Sequence, residues 1–281
     1  MLEARAGDFS KRSFKRETKR AAIDLAIRCI DLTTLEGKDS PGKVQSMCAK
    51  AVYPGFGAPP VAAVCVYPNM VAVAKAAVAG TGVKVASVAT AFPCGLSSLD
   101  VKLRDTEAAL ADGADEIDMV INRGAFLAGD EALVFDEIAA VKRVCGDVHV
   151  KAILEAGELG SYDAVRRCSD LALEAGADTI KTSTGKIGIS ATLPISLVMC
   201  QSIHAFYRRT GVRRGFKAAG GIRTSKVALS YLVLIDEVLG GDWLDPDFFR
   251  IGASSLLDDL LLQREKERTG RYPSPDIIPK D

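Results

Sequence analysis

The chain has 281 residues, 48% of them hydrophobic, which is enough for one large core of the size common in single α/β barrels. Its 36 basic and 36 acidic side chains give a formal net charge of zero, so the overall charge does not indicate binding to nucleic acid or to an anionic membrane surface. The only two histidines, His149 and His204, lie in no metal-ligand pattern, which argues against a histidine-built zinc site and a zinc-dependent hydrolase.

The first 20 residues carry seven Lys or Arg and three Asp or Glu without an apolar run. We therefore predict no signal peptide and a solvated N-terminal arm or helix over residues 1–20, with a mitochondrial presequence as the alternative. The seven cysteines are odd in number and form no CxxC pair. They predict free thiols in a reducing compartment, and we expect a cytoplasmic protein.

Short apolar runs typical of buried strands alternate with helical patterns along most of the chain. Three of the helical segments, at 98–113, 130–146 and 161–176, end in glycine, which is a common helix stop. The predicted strands are Cys29–Leu32, Val61–Val66, Val83–Ala89, Glu116–Ile121, His149–Leu154, Thr179–Thr182, Gly215–Lys217 and Phe249–Ile251.

Eight alternating strands and helices predict an α/β protein with a closed (β/α)8 barrel, also called a TIM barrel. A doubly wound open sheet is the runner-up, but no GxGxxG pattern follows the first strand. No linker divides the chain, so we predict one barrel domain over residues 21–263. A flexible C-terminal tail is expected over residues 264–281.

An internal repeat relates the fourth predicted strand to the sixth. EAALADGADEIDMV (107–120) and DLALEAGADTIKTS (170–183) align without gaps, and both run from a helix through a glycine into a strand. The residue after the shared isoleucine is Asp118 in the first copy and Lys181 in the second. Because a side-chain layer inside a barrel comes from alternate strands, we predict that Asp118 and Lys181 face inward in one layer.

A second lysine, Lys217, follows Lys181 by about one strand–helix unit and also ends a short strand. Two ammonium groups held close together favour the neutral amine on one of them, and a neutral lysine forms Schiff bases with carbonyl carbons. Asp31 ends the first strand and is the natural counter-ion of Lys217, which would leave Lys181 neutral and Asp118 free to move protons. On spacing alone, two structural salt-bridged lysines are an equally good interpretation.

Glycine-containing loops after the last three strands predict an anion site. Glycines let backbone N–H groups approach an anion, and Arg or Lys adds positive charge. Barrels often bind phosphate with the loops after strands seven and eight. The candidate residues are Gly185 and Lys186 after the sixth strand, Gly220, Gly221 and Arg223 after the seventh, and Gly252, Ser254 and Ser255 after the eighth.

These motifs resemble those of 2-deoxyribose-5-phosphate aldolases, a family of class I, Schiff-base aldolases on a (β/α)8 barrel, and in particular its longer type. The resemblance runs from about Ala21 to Leu262 and is most specific in IKTSTGK together with GFKAAGGIRT. It also shows in CIDLTTL, AAVCVYP, GADEIDMVIN, LEAGEL and FRIGASSLL. The resemblance implies reversible cleavage of 2-deoxy-D-ribose 5-phosphate to acetaldehyde and D-glyceraldehyde 3-phosphate, in deoxynucleoside catabolism and without a metal or other cofactor.

The same resemblance implies roles for individual residues. Lys181 forms the Schiff base, and Lys217 lowers the pKa of that lysine. Asp118 moves protons through a water molecule, and Asp31 holds Lys217. Thr33, beside Asp31 in the same motif, is expected to line the pocket, and the three glycine-containing loops fall where the family binds phosphate.

Other candidate residues carry weaker expectations. Cys65 ends the second strand; a buried small residue is the favoured interpretation, and a thiol that reactive aldehydes modify is the alternative. Lys151 and Glu155 are expected to form inward polar packing around the site. Tyr272 in TGRY resembles a tail tyrosine of longer family members that assists proton transfer, although an exposed tail residue without a role is an equally good interpretation. Ala218 stands where most members have proline, and we expect a small effect on how the preceding lysine is held.

Two alternative functions are left open. One is another lysine aldolase acting on a different sugar phosphate. The other is a non-catalytic sugar-phosphate-binding or regulatory barrel, which would be expected to lose one of the lysines or Asp118. The expected partners are a sugar phosphate and acetaldehyde, with no nucleic acid and no membrane, and a homo-oligomer (dimer or tetramer) is left open.

Overall fold

Eight parallel strands form a closed barrel in the computed structural model, which describes residues 2–274 and residue 278. The strands are β1 (Ile30–Thr33), β2 (Ala63–Val66), β3 (Lys84–Ala89), β4 (Glu116–Val120), β5 (His149–Ile153), β6 (Thr179–Lys181), β7 (Gly215–Ala219) and β8 (Phe249–Ala253). Each strand pairs with the next, and β8 pairs with β1, where Asp31 lies opposite Gly252. This last pairing closes the barrel, so the predicted (β/α)8 fold is confirmed and the open sheet is excluded.

Helices surround the barrel and cover its outer face. Strands β2, β4 and β7 are buried along their whole length, as expected when helices pack outside and side chains fill the interior. The helices are α1 (Leu2–Phe9), α2 (Arg16–Arg28), α3 (Pro41–Val52), α4 (Val71–Ala77), α5 (Leu99–Ala111), α6 (Arg123–Leu127), α7 (Glu131–Cys145), α8 (Tyr162–Glu174), α9 (Leu193–Thr210), α10 (Ser225–Val238) and α11 (Leu256–Thr269).

The strand and helix bounds follow local sequence features. All eight predicted strands are present, with ends that differ by at most two residues from the prediction. The three predicted glycine-terminated helices are α5, α7 and α8. Helix α8 begins where the Ser161 hydroxyl accepts a hydrogen bond from the N–H of Ala164, and α7 ends at Gly146, whose φ is +56°.

The N-terminal segment is helical and partly packed against the barrel. Helix α1 contacts α9 and α10 and buries Ala6 and Phe9. Helix α2 begins at Arg16, before the predicted barrel boundary at residue 21, and packs against α10 and α11. The helical form of the predicted arm is therefore observed, whereas the division at residue 20 stays a prediction.

The predicted start of the C-terminal tail at residue 264 is wrong, because α11 continues to Thr269. Arg264 is buried, pairs with Asp24 at 2.6 Å and donates to the carbonyl oxygen of Phe56, so burial and ion pairing hold this turn of helix in place. Residues 275–277 and 279–281 of the predicted tail lie outside the described residues. Within the described part of the chain, no helix is long and apolar enough to cross a membrane.

Candidate active site

Charged side chains on neighbouring strands meet inside the barrel. Asp118 on β4 lies opposite Lys151 on β5, and Lys181 on β6 lies opposite Lys217 on β7. Lys217 is in turn opposite Arg250 on β8. Because side chains of adjacent parallel strands at matched register project to the same side, the sequence of these strands places several charges in one interior.

Asp118 is the centre of this cluster. Its Oδ1 accepts from Lys151 Nζ at 2.7 Å, and its Oδ2 accepts from both Lys181 Nζ and Lys217 Nζ at 2.7 Å. All four side chains are at most 3% exposed. The prediction that Asp118 and Lys181 face inward in one layer is confirmed.

Asp31 pairs with Lys217, as predicted from their positions in the sequence. Its other carboxylate oxygen accepts from Arg250 Nη1 at 2.6 Å. Lys217 therefore has two carboxylate partners, Asp31 and Asp118, whereas Lys181 shares a single oxygen of Asp118 with Lys217. Two lysines with unequal compensation by carboxylates are thus held within one buried cluster.

Two members of the cluster were not identified from the sequence. Glu116 lies 2.6 Å from Lys151 Nζ, and its other oxygen lies 2.8 Å from Arg250 Nη2. Glu116 precedes Asp118 by two residues on β4, so the two-residue period of a strand could have placed it on the same face. Arg250 likewise precedes Gly252, a predicted site residue, by two residues on β8, so the same period could have identified Arg250.

The balance of charge in the cluster favours one neutral lysine. Among the described residues it contains three carboxylates (Asp31, Glu116 and Asp118) and four bases (Lys151, Lys181, Lys217 and Arg250), all at most 5% exposed. With every group ionised the cluster would carry one uncompensated positive charge. Loss of one proton from a base removes that charge, and the base with the weakest compensation is the one expected to lose it.

The pKa shifts identify that base as Lys181. Burial lowers the pKa of Lys181, and the positive charge of Lys217 acts in the same direction against the attraction of Asp118. Burial also opposes protonation of Lys217, but Asp118 and Asp31 outweigh it and raise the pKa of that lysine. The pKa of Lys151 is raised as well, because Asp118 and Glu116 outweigh its burial. Lys181 is therefore the amine best suited to act as a nucleophile at neutral pH.

The carboxylates remain ionised despite their burial. Burial alone raises the pKa of Asp118, but Lys151, Lys181 and Lys217 outweigh it and hold that pKa well below its usual range. The pKa of Asp31 is lowered in the same way, since Lys217 and Arg250 outweigh the effect of burial. Asp118 is thus an anion that accepts hydrogen bonds from three lysine side chains.

A cavity of about 320 Å³ opens above Lys181, at the carboxyl ends of the strands. Its lining includes every residue predicted for the anion site, as well as Thr33. Gly220 and Gly221 have φ of +87° and +80°, so the turn after β7 needs glycine. The predicted residues that line the cavity are Thr33, Gly185, Lys186, Gly220, Gly221, Arg223, Gly252, Ser254 and Ser255.

Gly252 has a second role, which is to leave room for Lys217. A Cβ atom at this position would lie 3.1 Å from Lys217 Cε and 3.1 Å from the Cβ of Ala219. The loop after β8 then leads into α11, whose first residue follows Ser255. Ser255, which precedes that helix, lines the cavity, and the first N–H groups of a helix favour an anion nearby because they have no partner within the helix.

Glu155 anchors the loop that follows β6. It is fully buried, its φ is +52°, and its carboxylate accepts from Thr184 N at 3.0 Å and from Thr184 Oγ1 at 2.5 Å. Thr184 Oγ1 in turn accepts from the N–H of Lys186 at 3.1 Å. Glu155 therefore fixes the backbone next to the cavity, and Lys151 contacts Asp118 directly. Both residues thus do more at the site than the predicted inward polar packing.

Cys65 and Tyr272 differ in their relation to the cluster. Cys65 is buried, its Sγ lies 4.0 Å from Asp118 Oδ2, and burial raises the pKa of its thiol. Tyr272 is 59% exposed and lies on the surface of α11, where its hydroxyl donates to Gln263 Oε1 at 2.9 Å and accepts from Lys266 Nζ at 3.2 Å. The structure brings Cys65 to the cluster but does not bring Tyr272 there.

A closed (β/α)8 barrel with two buried lysines below a cavity at the carboxyl ends of its strands suits an enzyme that uses a lysine nucleophile. The chain belongs to the DeoC/LacD family of aldolases, whose family model matches residues 25–259. The predicted family is thereby confirmed, and the chain is an aldolase, that is, a lyase.

Named relatives are similar over almost the whole chain. The deoxyribose-phosphate aldolase of Mus musculus is 45% identical over 96% of this chain and 89% of its own length, and that of Homo sapiens is 43% identical over the same shares. The structure of a putative deoxyribose-phosphate aldolase from Coccidioides immitis matches with a TM-score of 0.71 and 30% identity, over 85% of this chain and 87% of that one.

Proposed function

We propose that this aldolase cleaves 2-deoxy-D-ribose 5-phosphate reversibly to acetaldehyde and D-glyceraldehyde 3-phosphate through a Schiff base on Lys181. The observation that carries the mechanism is the buried cluster in which Lys181 is the least compensated base, with a lowered pKa, directly below the cavity. The substrate is supported by the relatives, which are named deoxyribose-phosphate aldolases and match nearly the whole chain.

The reaction begins with attack of the neutral Lys181 amine on the aldehyde carbon of the open-chain sugar. Loss of water leaves a protonated imine, which withdraws electrons from the adjacent carbon. Removal of the proton from the hydroxyl on carbon 3 then lets the bond between carbons 2 and 3 break, and D-glyceraldehyde 3-phosphate leaves. The bonding electrons pass to the imine and form an enamine. Protonation of the enamine at carbon 2 and hydrolysis return acetaldehyde and the free lysine.

Asp118 carries the protons in this scheme, acting through a water molecule. Its Oδ2 lies 2.7 Å from Lys181 Nζ, so protons can pass between this carboxylate and a substrate bound to Lys181 without large movement of side chains. Lys217 remains protonated between Asp31 and Asp118, and its charge keeps the pKa of Lys181 low. This division assigns nucleophilic attack to one lysine and electrostatic tuning to the other.

The phosphate of the substrate binds in the cavity, at the glycine-containing loops after β6 and β7 and at the end of β8. Arg223 and Lys186 supply positive charge, and the start of α11 supplies backbone N–H groups next to Ser254 and Ser255. A dianion bound there would hold the other end of the sugar over Lys181, which lines the same cavity.

The test is to measure release of D-glyceraldehyde 3-phosphate from deoxyribose 5-phosphate and, in parallel, turnover of fructose phosphates. We expect turnover of deoxyribose 5-phosphate, its loss in Lys181→Ala, and normal turnover in Lys75→Ala, a partly exposed lysine of α4. A preference for fructose phosphates would contradict the proposed substrate. Normal activity of Lys181→Ala would show that another lysine forms the Schiff base.

We also propose a homo-oligomer in a reducing compartment such as the cytoplasm. The oligomer is supported by the deoxyribose phosphate aldolase from Aeropyrum pernix, whose structure is described as tetrameric and matches this chain with 26% identity and a TM-score of 0.66. The compartment is supported by seven cysteines that are all free thiols. Light scattering of the purified chain tests the first point, and localisation of the tagged chain in its own cells tests the second.

A further inference from the structure

An ion pair crosses the cavity between the loop after β1 and the loop after β6. Lys186 Nζ donates to Glu36 Oε1 at 2.8 Å, and the two side chains are 31% and 56% exposed. Both residues line the cavity in which the phosphate is proposed to bind. A cation expected to contact phosphate therefore already has a carboxylate partner.

Glu36 is unusual among the residues around this cavity. It is the only acid among the described residues that line it, whereas Lys43, Lys186 and Arg223 are basic. Lys43 pairs at 2.8 Å with Asp39, which does not line the cavity. The Lys186 ammonium holds the pKa of Glu36 below its usual value, so the carboxylate is ionised at neutral pH.

The backbones on both sides of the pair are held by their own hydrogen bonds. The N–H of Glu36 donates to Asp39 Oδ2 at 2.9 Å, and Asp39 Oδ1 also accepts from Thr34 Oγ1 at 2.7 Å. On the other side, the N–H of Lys186 donates to Thr184 Oγ1, which Glu155 holds. Opening the pair therefore needs only rotation of the two exposed side chains, and ion pairs of this exposure are weak.

We propose that Glu36 occupies the Lys186 ammonium in the free enzyme and that the phosphate of the substrate must displace it. Glu36 is then a specificity-determining residue that weakens the binding of phosphorylated ligands and speeds release of the phosphorylated product. A dianion competes well for the ammonium, whereas an unphosphorylated sugar leaves the pair closed. This inference rests on the proposed phosphate site and adds to it a residue that weakens the binding of phosphate.

Inorganic phosphate is the probe that isolates this effect, with affinity measured by titration calorimetry at low ionic strength. Glu36→Gln keeps the size of the side chain and removes its charge, and we expect it to bind phosphate about two- to fivefold more tightly than the wild type, as the small contribution of an exposed ion pair implies. Glu174→Gln is the matched control, since Glu174 forms a similarly exposed pair with Arg209 on the outer surface, and its affinity should equal that of the wild type.

A double-mutant cycle with Lys186→Met separates displacement from simple repulsion. If Glu36 acts by occupying the ammonium, Glu36→Gln should give little further gain in phosphate affinity once Lys186 is absent. An equal gain in both backgrounds would overturn the displacement proposal. The proposal would also be overturned by equal affinities of wild type and Glu36→Gln; if both bind phosphate, the proposed phosphate site survives, and if neither binds it, that site fails too.

Discussion

Replacing Lys217 by methionine tests how the cluster controls Lys181. Methionine has a similar length and removes one positive charge, and Asp31 keeps its contact with Arg250 at 2.6 Å. In this variant Asp118 Oδ2 has Lys181 as its remaining lysine partner, so the protonated form of Lys181 gains stability. We therefore expect the pKa of Lys181 to rise and its neutral fraction at pH 7 to fall.

The size of this effect follows from the geometry. Lys181 Nζ and Lys217 Nζ each lie 2.7 Å from the same oxygen, so the two nitrogens are no farther apart than twice that distance. Two unit charges about 5 Å apart interact by about 3 kcal/mol at an effective dielectric constant of about 20. That energy corresponds to about two pKa units, or roughly a hundredfold loss of the neutral amine.

The assay is kcat/KM for deoxyribose 5-phosphate across a range of pH, because this ratio reports groups of the free enzyme. A group with a raised pKa loses its proton at higher pH, so the acidic limb of the Lys217→Met profile should move to higher pH. Activity should then recover substantially in alkaline solution. The control is Lys75→Met, a partly exposed lysine of α4 paired with Asp115, which should leave the limb in place. An equal loss of activity at every pH, in a folded variant, would refute electrostatic control by Lys217.

Three further changes test other parts of the site. Arg223→Ala should raise KM for deoxyribose 5-phosphate more than tenfold and barely change turnover of unphosphorylated deoxyribose; equal losses on both substrates would contradict a phosphate role. Gly252→Ala should lower kcat, because its Cβ would lie 3.1 Å from Lys217 Cε, and unchanged kcat would show that the strand absorbs the methyl group. Glu116 has a lowered pKa, because Lys151 and Arg250 outweigh the effect of burial, so its stabilising effect is present above about pH 4.5 and is lost as pH falls through the folded pKa. The free energy of unfolding should therefore fall less steeply with decreasing pH in Glu116→Gln. An unchanged pH dependence would show that Glu116 does not contribute to acid denaturation.

The sequence predicts the barrel and the proximity of Asp118 to Lys181 because both depend on local patterns. Strands buried on both faces leave continuous apolar runs, and their ends were predicted within two residues. Asp118 and Lys181 could be paired because two copies of one helix–strand unit carry them at the same position. The cavity lining could be predicted because Lys186 follows β6, Arg223 follows β7, and glycines lie at or just after the ends of β6, β7 and β8.

The two-residue period of β4 and β8 could place Glu116 and Arg250 inside the barrel, but the contact between them depends on register between distant strands, which no local pattern gives. Glu116 and Arg250 are 134 residues apart in the sequence, and only closure of the barrel brings their side chains together. The tail boundary was wrong because the charged residues after residue 263 suggested a solvated segment. Arg264 is in fact buried, and it pairs with Asp24, a partner 240 residues earlier in the chain.

The most direct test of the proposed Schiff base is borohydride trapping with acetaldehyde or deoxyribose 5-phosphate, followed by peptide mass mapping. Borohydride reduces an imine to a stable secondary amine, so the modified lysine is identified by its mass. A Schiff base on Lys181 predicts a single adduct on that residue and none in folded Lys181→Ala. An adduct on Lys217 instead, or no adduct on any lysine of the folded protein, would contradict it.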